Sequence, residues 1–359
     1  MKMHKILSRT FFSAMALSLS LTSFAGNEDR IGSAGATELL INPWTRSAAF
    51  GDAGVACGIG LSSVYTNIAG LAFTEKTEIV FDRTSWLGGT GTTINAAGIA
   101  QRINESTVLS VAVMSVGFGD IDITTTELPE GGIGTYSPKY NNFNVGFAHE
   151  FSSSIYGGIN VKVVSQSIAN VKGTGVAFDA GIRYVTGEQD QMKFGITLKN
   201  VGPTMSMSGD GLSISILYPE TGETATLQQR SADFEMPSLL AIGGSYDFNF
   251  SETNKLILAM AFSANSFSND QFRLGLDYGM NIDKASFHLI AGYVYEKGIF
   301  SQEFNYGERL SALSGLTAGL AVDAKVGKNQ NDLGIQYTYR SAKPFNGIHS
   351  IGLTINLKD

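Results

Sequence analysis

The sequence of 359 residues predicts an all-β fold, a transmembrane antiparallel β-barrel of about fourteen strands. Its main indication is that segments of ten or more residues alternate apolar with polar or small residues, as in a strand whose two faces meet different surroundings. These segments exceed the about 5–6 residues usual in soluble sheets and match the about 9–11 of a tilted bilayer crossing. Composition agrees, since glycine is abundant at 42 residues and proline is scarce at 7.

The first 25 residues have the pattern of a secretory signal peptide. Lys2, Lys5 and Arg9 are basic, residues 11–21 are mostly apolar, and small residues precede a cleavage site after Ala25. The apolar run is shorter than the roughly 20 residues of a membrane-spanning helix. Cleavage would lower the 25 basic residues to 22 against 32 acidic ones, a net charge of −10. This charge makes nucleic acid a poor partner.

Residues 26–76 do not alternate and are rich in glycine and small side chains. A flexible periplasmic tail would have this position, but the apolar content favours a packed segment inside the barrel. We therefore predict an N-terminal plug at 26–76 and a transmembrane β-barrel at 77–359.

The barrel region contains fourteen alternating segments, with Phe143–Phe151 and Phe272–Tyr278 among the clearest. Long connections at 119–137, 201–236 and 297–313 all follow odd-numbered strands, and the connections after even-numbered strands are short. Bacterial barrels have this arrangement, with long external loops and short periplasmic turns. The strands are predicted near 77–85, 91–102, 106–118, 138–151, 154–168, 174–186, 191–200, 237–250, 255–265, 271–281, 285–296, 314–326, 330–341 and 348–358.

Charged residues occur on the polar face of several predicted strands and should point into the lumen. A fourteen-stranded barrel needs filling, because about eight strands already enclose side chains alone. Ion pairs that hold the plug are one interpretation, and a ligand path is the alternative. The predicted lumen charges are Lys162, Asp179, Arg183, Lys193, Lys199, Arg273 and Asp277.

The long connection at 201–236 is too apolar for a freely solvated loop. Exposed apolar surface usually marks a binding site, and methionine suits adaptable contacts. The loop is predicted to bind a partner, although it could instead fold over its own barrel mouth. The predicted partner-binding residues are Met205, Met207, Leu212, Ile214, Ile216, Leu217 and Tyr218.

No motif in the sequence predicts an enzyme, a cofactor or a metal site. His149, His288 and His349 lie on or beside strands without a neighbouring nucleophile or acid at local spacing. The glycine-rich runs lack the lysine that ends a phosphate-binding loop. Cys57 has no partner for an internal disulfide and is expected to be a small buried residue. One loop could bind Ca²⁺ through carboxylates, but its spacing favours a solvated loop: Asp120, Asp122, Glu127 and Glu130.

Four short stretches resemble the N-terminal signature of the PorV/PorQ family of Bacteroidota outer-membrane proteins, which are relatives of the FadL-type barrels. They are Leu39–Ile41, Arg46–Ala49, Gly51–Ala56 and Asn67–Ala72. Ile68 stands where the family usually has proline, and the chain ends without the aromatic residue of many such barrels. The motif residues assigned to the plug are Arg46, Gly51, Gly54, Asn67, Ala69 and Gly70.

This resemblance implies a FadL-like barrel in the outer membrane of a Gram-negative bacterium, with its N-terminus in the periplasm or the lumen. It implies a non-enzymatic component of the type IX secretion system that docks on the translocon barrel, shuttles secreted cargo to the surface, or both. Its partners would be outer-membrane lipid and the translocon barrel, cargo proteins, or both. The alternative function is transport of small hydrophobic molecules.

Overall fold

The structure of the protein is a computed structural model. It describes residues 30–217, 220, 222–301, 311–327 and 331–358. The predicted signal peptide and Tyr218 lie outside the described residues. Strands are numbered β1–β19 in chain order.

Fourteen long strands, each paired antiparallel with its neighbours, form a closed barrel in the described residues. Closure is made by β1 and β19, which pair from Thr77–Leu357 to Ser85–His349. The prediction of a fourteen-stranded antiparallel barrel is therefore confirmed. The barrel strands are β1 (Thr77–Ser85), β2 (Thr93–Asn104), β3 (Thr107–Gly117), β6 (Lys139–Ser152), β7 (Ile155–Ile168), β8 (Val171–Thr186), β9 (Met192–Val201), β13 (Leu239–Asn249), β14 (Asn254–Asn265), β15 (Gln271–Ile282), β16 (Ala285–Glu296), β17 (Gly315–Val326), β18 (Asn331–Arg340) and β19 (Ile348–Leu357).

Five short strands lie in the long connections and were not predicted from the sequence. They are β4 (Ile121–Asp122), β5 (Thr135–Tyr136), β10 (Met207–Ser208), β11 (Ser213–Leu217) and β12 (Thr224–Gln228). The pairs β4–β5 and β11–β12 form separate two-stranded sheets, whereas β10 extends the barrel sheet beside β8. These pieces are too short for a periodic pattern to reveal them.

The two faces of the barrel wall have opposite character. On β8, Ile182 is 55% exposed on the outer face, whereas Asp179 and Arg183 are each 2% exposed on the inner face. Soluble proteins bury their apolar residues and expose charged ones. An apolar outer band around a polar interior is the pattern of a membrane barrel.

The connections divide between two ends of the barrel because consecutive strands are antiparallel. Long connections at 118–138, 202–238 and 297–314 lie at one end, which we call the long-loop end. At the opposite, short-turn end, the connections between consecutive barrel strands have five residues or fewer, as at 105–106 and 153–154.

Residues 30–76, called the N-terminal segment from here on, lie against the inner face of the wall. The segment contains helix α1 (Thr45–Ala49) and the 3-10 helices Thr37–Leu40, Leu61–Ser63 and Ile68–Phe73. It begins at the long-loop end, where Ala34 bridges to Glu235, and ends at the short-turn end. No helix in the described part of the chain is long and apolar enough to cross a membrane.

Candidate functional site

Inward-facing glycines line the contact between the barrel wall and the N-terminal segment. A Cβ built on Gly275 would lie 2.8 Å from the ring of Phe50, and one on Gly319 would lie 2.5 Å from the Cβ of Ala49. A larger residue at either position would therefore force the segment to move. Other wall glycines in contact with the segment are Gly98, Gly146, Gly158, Gly181, Gly195, Gly243 and Gly292.

Hydrogen bonds supplement this close packing. The hydroxyl of Thr338 donates to the carbonyl of Thr45 at 2.8 Å. Asn67 has two roles, since its Nδ2 donates to the carbonyl of Ile182 at 3.1 Å and its Oδ1 accepts from the backbone N–H of Ala69 at 3.1 Å. The second bond caps the 3-10 helix Ile68–Phe73. Asn67 thus links the wall to the start of this helix.

The motif residues lie at close contacts of the segment. Gly51 has a φ of 64°, which favours glycine, and its backbone nitrogen lies against Gly292 of β16. Gly54, Ala69 and Gly70 are buried. In the structure, these motif residues therefore contribute to the packing and the backbone conformation of the segment and do not form a reactive centre.

Arg46 of α1 meets a cluster of charged wall residues. Its guanidinium lies 3.2 Å from the carboxylate of Asp323 and 4.0 Å from that of Asp277. Nδ1 of His288 is 2.8 Å from Asp277, so the cluster joins β15, β16 and β17. Sequence spacing showed no histidine–acid group, because these residues meet only through strand pairing. The two carboxylates anchor the segment through Arg46.

A second cluster lies entirely in the wall, at β7, β8 and β9. Nζ of Lys162 is 2.6 Å from the carboxylate of Asp179 and donates to Oδ1 of Asn200 at 2.7 Å. Asp179 also accepts from the backbone N–H of Asn200 at 2.8 Å. The register between β8 and β9 shifts here, and Asn200 has a φ of 58°. The buried ion pair is therefore built around an irregularity of β9.

Most of the remaining predicted lumen charges contact the N-terminal segment. Lys193 is the exception, because it pairs with Asp247 of β13, which also accepts from Lys255 at 2.5 Å. Cations above aromatic rings and ion pairs both favour the packed position of the segment. The contacts are Arg183 at 4.0 Å from the Phe73 ring centroid, Lys199 at 3.5 Å from the Tyr65 ring centroid, and Arg273 at 3.7 Å from the Asp52 carboxylate.

Asp247, Lys255 and Asn200 are part of these networks but were absent from the predicted site. The alternation of β13 places Asp247 on the same face as the buried Ser245, and this register could have indicated it. Asn200 lies in a bulge, which a period of two does not reveal.

The structure divides the predicted partner-binding loop into two parts. Met205 is 2% exposed and packs with Leu39, and Met207 is half-buried where β10 pairs with β8. Leu212 is also half-buried. Ile214, Ile216 and Leu217 are exposed on the hairpin formed by β11 and β12. Part of the loop therefore covers the barrel mouth, and among its described residues the hairpin presents an exposed apolar surface.

The covering part of this loop also contacts the start of the N-terminal segment. The backbone N–H of Gly35 donates to the carbonyl of Glu235 at 2.9 Å. The side chain of Glu235 lies 2.5 Å from the guanidinium of Arg30. Loop and segment thus form one contact at the long-loop end.

Two small cavities lie between the N-terminal segment and the wall. The first, of about 40 Å³, is lined by residues that include Glu38 and Trp44. The second, of about 70 Å³, is lined by residues that include Arg46 and Asp82. Both are much smaller than the roughly 300–1,000 Å³ of a typical ligand pocket.

Residues considered for catalysis or metal binding are dispersed. His149 lies 2.9 Å from the hydroxyl of Thr107, and His349 lies 2.7 Å from that of Tyr337. Cys57, expected to be buried, is half-buried, and desolvation raises the pKa of its thiol to about 11. The described residues contain no group of three or more His, Cys, Asp or Glu suited to a metal ion. The acidic loop residues are exposed: Asp120, Asp122, Glu127 and Glu130.

No protein-family model matches the chain, and no curated protein matches it. Solved structures resemble it over nearly its whole length. The Pseudomonas putida toluene transporter TodX is 11% identical, with 86% of this chain and 96% of that chain covered and a TM-score of 0.52. The CymD monoaromatic hydrocarbon channel is 13% identical, with 88% and 97% covered and a TM-score of 0.53. A Pseudomonas aeruginosa FadL homologue is 10% identical, with 88% and 97% covered and a TM-score of 0.51.

The fold is that of FadL-like barrels. The structural similarity establishes the architecture and not the function, because one fold carries many functions.

Proposed function

We propose that the protein is an outer-membrane barrel through which small hydrophobic molecules cross. The observation that carries this proposal is the fold, which is similar over 86–88% of the chain to barrels described as a toluene transporter and a monoaromatic hydrocarbon channel. The apolar outer face supports a membrane location.

We assign passage of such a molecule to a movement of the N-terminal segment. The two cavities of about 40 and 70 Å³ are too small to pass a hydrocarbon between segment and wall. The contact of Gly35 and Arg30 with Glu235 lies at the long-loop end, where a molecule from outside would enter. Separation of loop and segment at this contact is the step we assign to opening.

A reversible disulfide across this contact tests the proposal. Ala34 and Glu235 are bridge partners, so Ala34→Cys with Glu235→Cys places two thiols on paired backbones. Cys57 is the single native cysteine and is first replaced by Cys57→Ala. Uptake of radiolabelled toluene is measured in a Gram-negative host that expresses the double variant, before and after reduction.

Oxidation should lower uptake to the level of cells without the protein, and a reductant should restore it. The Ala34→Cys single variant is the matched control and should transport equally under both conditions. No uptake above empty cells by the reduced double variant would contradict the transport proposal. Equal uptake above that level by the oxidised and reduced double variant would contradict the assigned opening step.

A second candidate function is a component of the type IX secretion system in a Bacteroidota outer membrane, as the N-terminal motif suggests. The observation that favours it is the hairpin of β11 and β12, which exposes Ile214, Ile216, Leu217 and Leu227. Exposed apolar clusters on a surface loop usually bind another protein. The translocon barrel and secreted cargo are the proposed partners.

Purification from the native outer membrane in mild detergent, followed by mass spectrometry, tests this second function. Stoichiometric recovery of a giant translocon barrel or of surface-bound cargo would support it. The variant Ile214→Ser with Leu217→Ser should assemble normally but lose that partner. Recovery of a lone barrel from the wild type would contradict it.

A further inference from the structure

The first cavity separates an apolar surface of the N-terminal segment from a polar strip of the wall. Trp44, Val64 and Tyr65 belong to the segment side. The wall side is formed by β3, β6 and β7 and includes four polar residues of β6 and β7, Asn142, Asn144, Asn160 and Lys162. Glu38 of the segment completes the lining.

Three oxygen atoms around this cavity have no hydrogen-bond partner. They are Oε1 of Glu38, Oδ1 of Asn142 and Oδ1 of Asn160. Their residues are at most 4% exposed, so bulk water does not reach them. A buried acceptor without a partner is unfavourable, and such atoms are rare in folded proteins. All three are acceptors, so a positively charged or hydrogen-donating group in the cavity would satisfy them.

The charge of Glu38 is also not balanced by the residues beside it. Its Oε2 accepts from Nε2 of Gln166 at 2.7 Å, and that donor is neutral. Lys162 is the one cationic residue among those lining the cavity, but its Nζ already contacts Asp179 at 2.6 Å and Asn200 at 2.7 Å. A buried carboxylate without a counter-charge is unfavourable. Among the residues lining the cavity, the carboxylate of Glu38 therefore carries one negative charge that no neighbouring cation balances.

We propose that this cavity binds a monovalent metal cation, sodium or potassium, with Oε1 of Glu38 and Oδ1 of Asn142 as its protein ligands. The single carboxylate balances one positive charge, and the amide oxygen is a neutral ligand. A divalent ion such as calcium is usually bound by several carboxylates, and Glu38 is the one carboxylate among the residues lining this cavity. A cavity of about 40 Å³ has room for a small ion and one or two water molecules. Water can link the ion to Asn160.

The site would tie the start of the N-terminal segment to the wall. Glu38 lies in the 3-10 helix Thr37–Leu40, and Asn142 lies in β6. A bound cation therefore favours the packed position of the segment by binding both at once.

Thermal unfolding of the purified barrel in detergent tests the site in sodium chloride, potassium chloride and choline chloride at equal concentration. Choline is too large for the cavity and serves as the inert cation. We expect the unfolding midpoint to be higher by about 3 °C or more in sodium or potassium than in choline. Glu38→Gln keeps the side-chain shape, removes the charge and should abolish this difference. Glu105→Gln removes an exposed carboxylate from a short turn and should leave it unchanged.

Two further measurements keep the test decisive if Glu38→Gln unfolds. The ²³Na resonance should broaden with wild-type protein and narrow again when potassium competes. Asn142→Asp adds a second carboxylate and should give a midpoint that rises with calcium. Equal wild-type midpoints in the three salts, with no broadening, would overturn the proposal. The cavity would then hold water beside a protonated Glu38, and lowering the pH would raise the midpoint equally in every salt.

Discussion

Substitution of Gly292 by alanine tests whether the barrel wall holds the N-terminal segment by close backbone contact. Gly292 faces inward from β16, and an added Cβ would lie 2.6 Å from the carbonyl carbon of Phe50 and 2.5 Å from the hydroxyl of Thr317. It would also meet the backbone nitrogen of Gly51. Two of these neighbours are backbone atoms, so a rotamer change cannot relieve the overlap.

The expected loss follows from overpacking of a filled interior. Extra carbon atoms forced into such a site typically cost about 1–3 kcal/mol of unfolding free energy. Gly244→Ala is the matched control, because Gly244 lies on the outer-facing register of β13 and its nearest neighbour would be Phe194 at 3.7 Å. That distance is ordinary contact, so the control should change stability by less than about 0.5 kcal/mol.

The assay is urea unfolding of the refolded barrel in lipid vesicles, read from the gel mobility of folded and unfolded forms. Gly195→Ala is a second test, because its Cβ would lie 2.8 Å from the carbonyl carbon of Val55. Both inward variants should unfold at lower urea than Gly244→Ala. Equal midpoints for the inward and outward variants would refute the inferred backbone contact.

Four other results are expected. Lys162→Met leaves Asp179 buried without its cation, so urea titration should show that the unfolding free energy falls by about 3–5 kcal/mol. A fall of less than about 1 kcal/mol would contradict the ion pair. Leu217→Ser, at a residue 59% exposed, should change the unfolding free energy by less than about 0.5 kcal/mol, and a larger loss would show that the hairpin packs on the barrel. Burial raises the pKa of the Cys57 thiol to about 11. Iodoacetamide near pH 8 should therefore modify Cys57 about 100-fold more slowly in the folded protein than in the unfolded chain. Equal rates would contradict its burial. Burial also raises the pKa of Glu38 above 4.5. In choline chloride, its contribution to stability is therefore complete below that value and is lost as pH rises through the folded-state pKa. Glu38→Gln should remove this dependence of the unfolding midpoint on pH, and an unchanged dependence would assign it to another group.

Strand positions were predictable because membrane and lumen impose opposite demands on the two faces of each strand. The predicted strand at 154–168 corresponds to β7 at Ile155–Ile168, and that at 285–296 corresponds to β16 at Ala285–Glu296. At 174–186 the prediction began three residues late, since β8 starts at Val171 with Lys172 and Gly173 in a weakly alternating stretch. Lumen residues such as Asp179 and Arg183 followed from the same alternation.

Partners of those lumen residues could not be predicted. Asp277 and His288 are 11 positions apart and meet across β15 and β16, whereas Arg46 reaches Asp323 over 277 positions. Such contacts depend on strand register, barrel closure and the path of the segment, which no local pattern encodes. The plug assignment for 26–76 and its motif roles remain predictions, which the observed contacts of residues 30–76 support.

The architecture follows from the amino-acid sequence, because a period of two maintained over long segments leaves each strand one apolar and one polar face. The sequence also indicated the two ends of the barrel, since the three long connections all follow odd-numbered barrel strands. The pairing of the polar residues and the exposure of the apolar loop residues depend instead on the folded arrangement of the strands and loops. Met205 and Leu217 are both apolar and lie in one connection, yet one is 2% and the other 59% exposed. Their difference arises from what the fold places beside each of them, the mouth of the barrel or solvent.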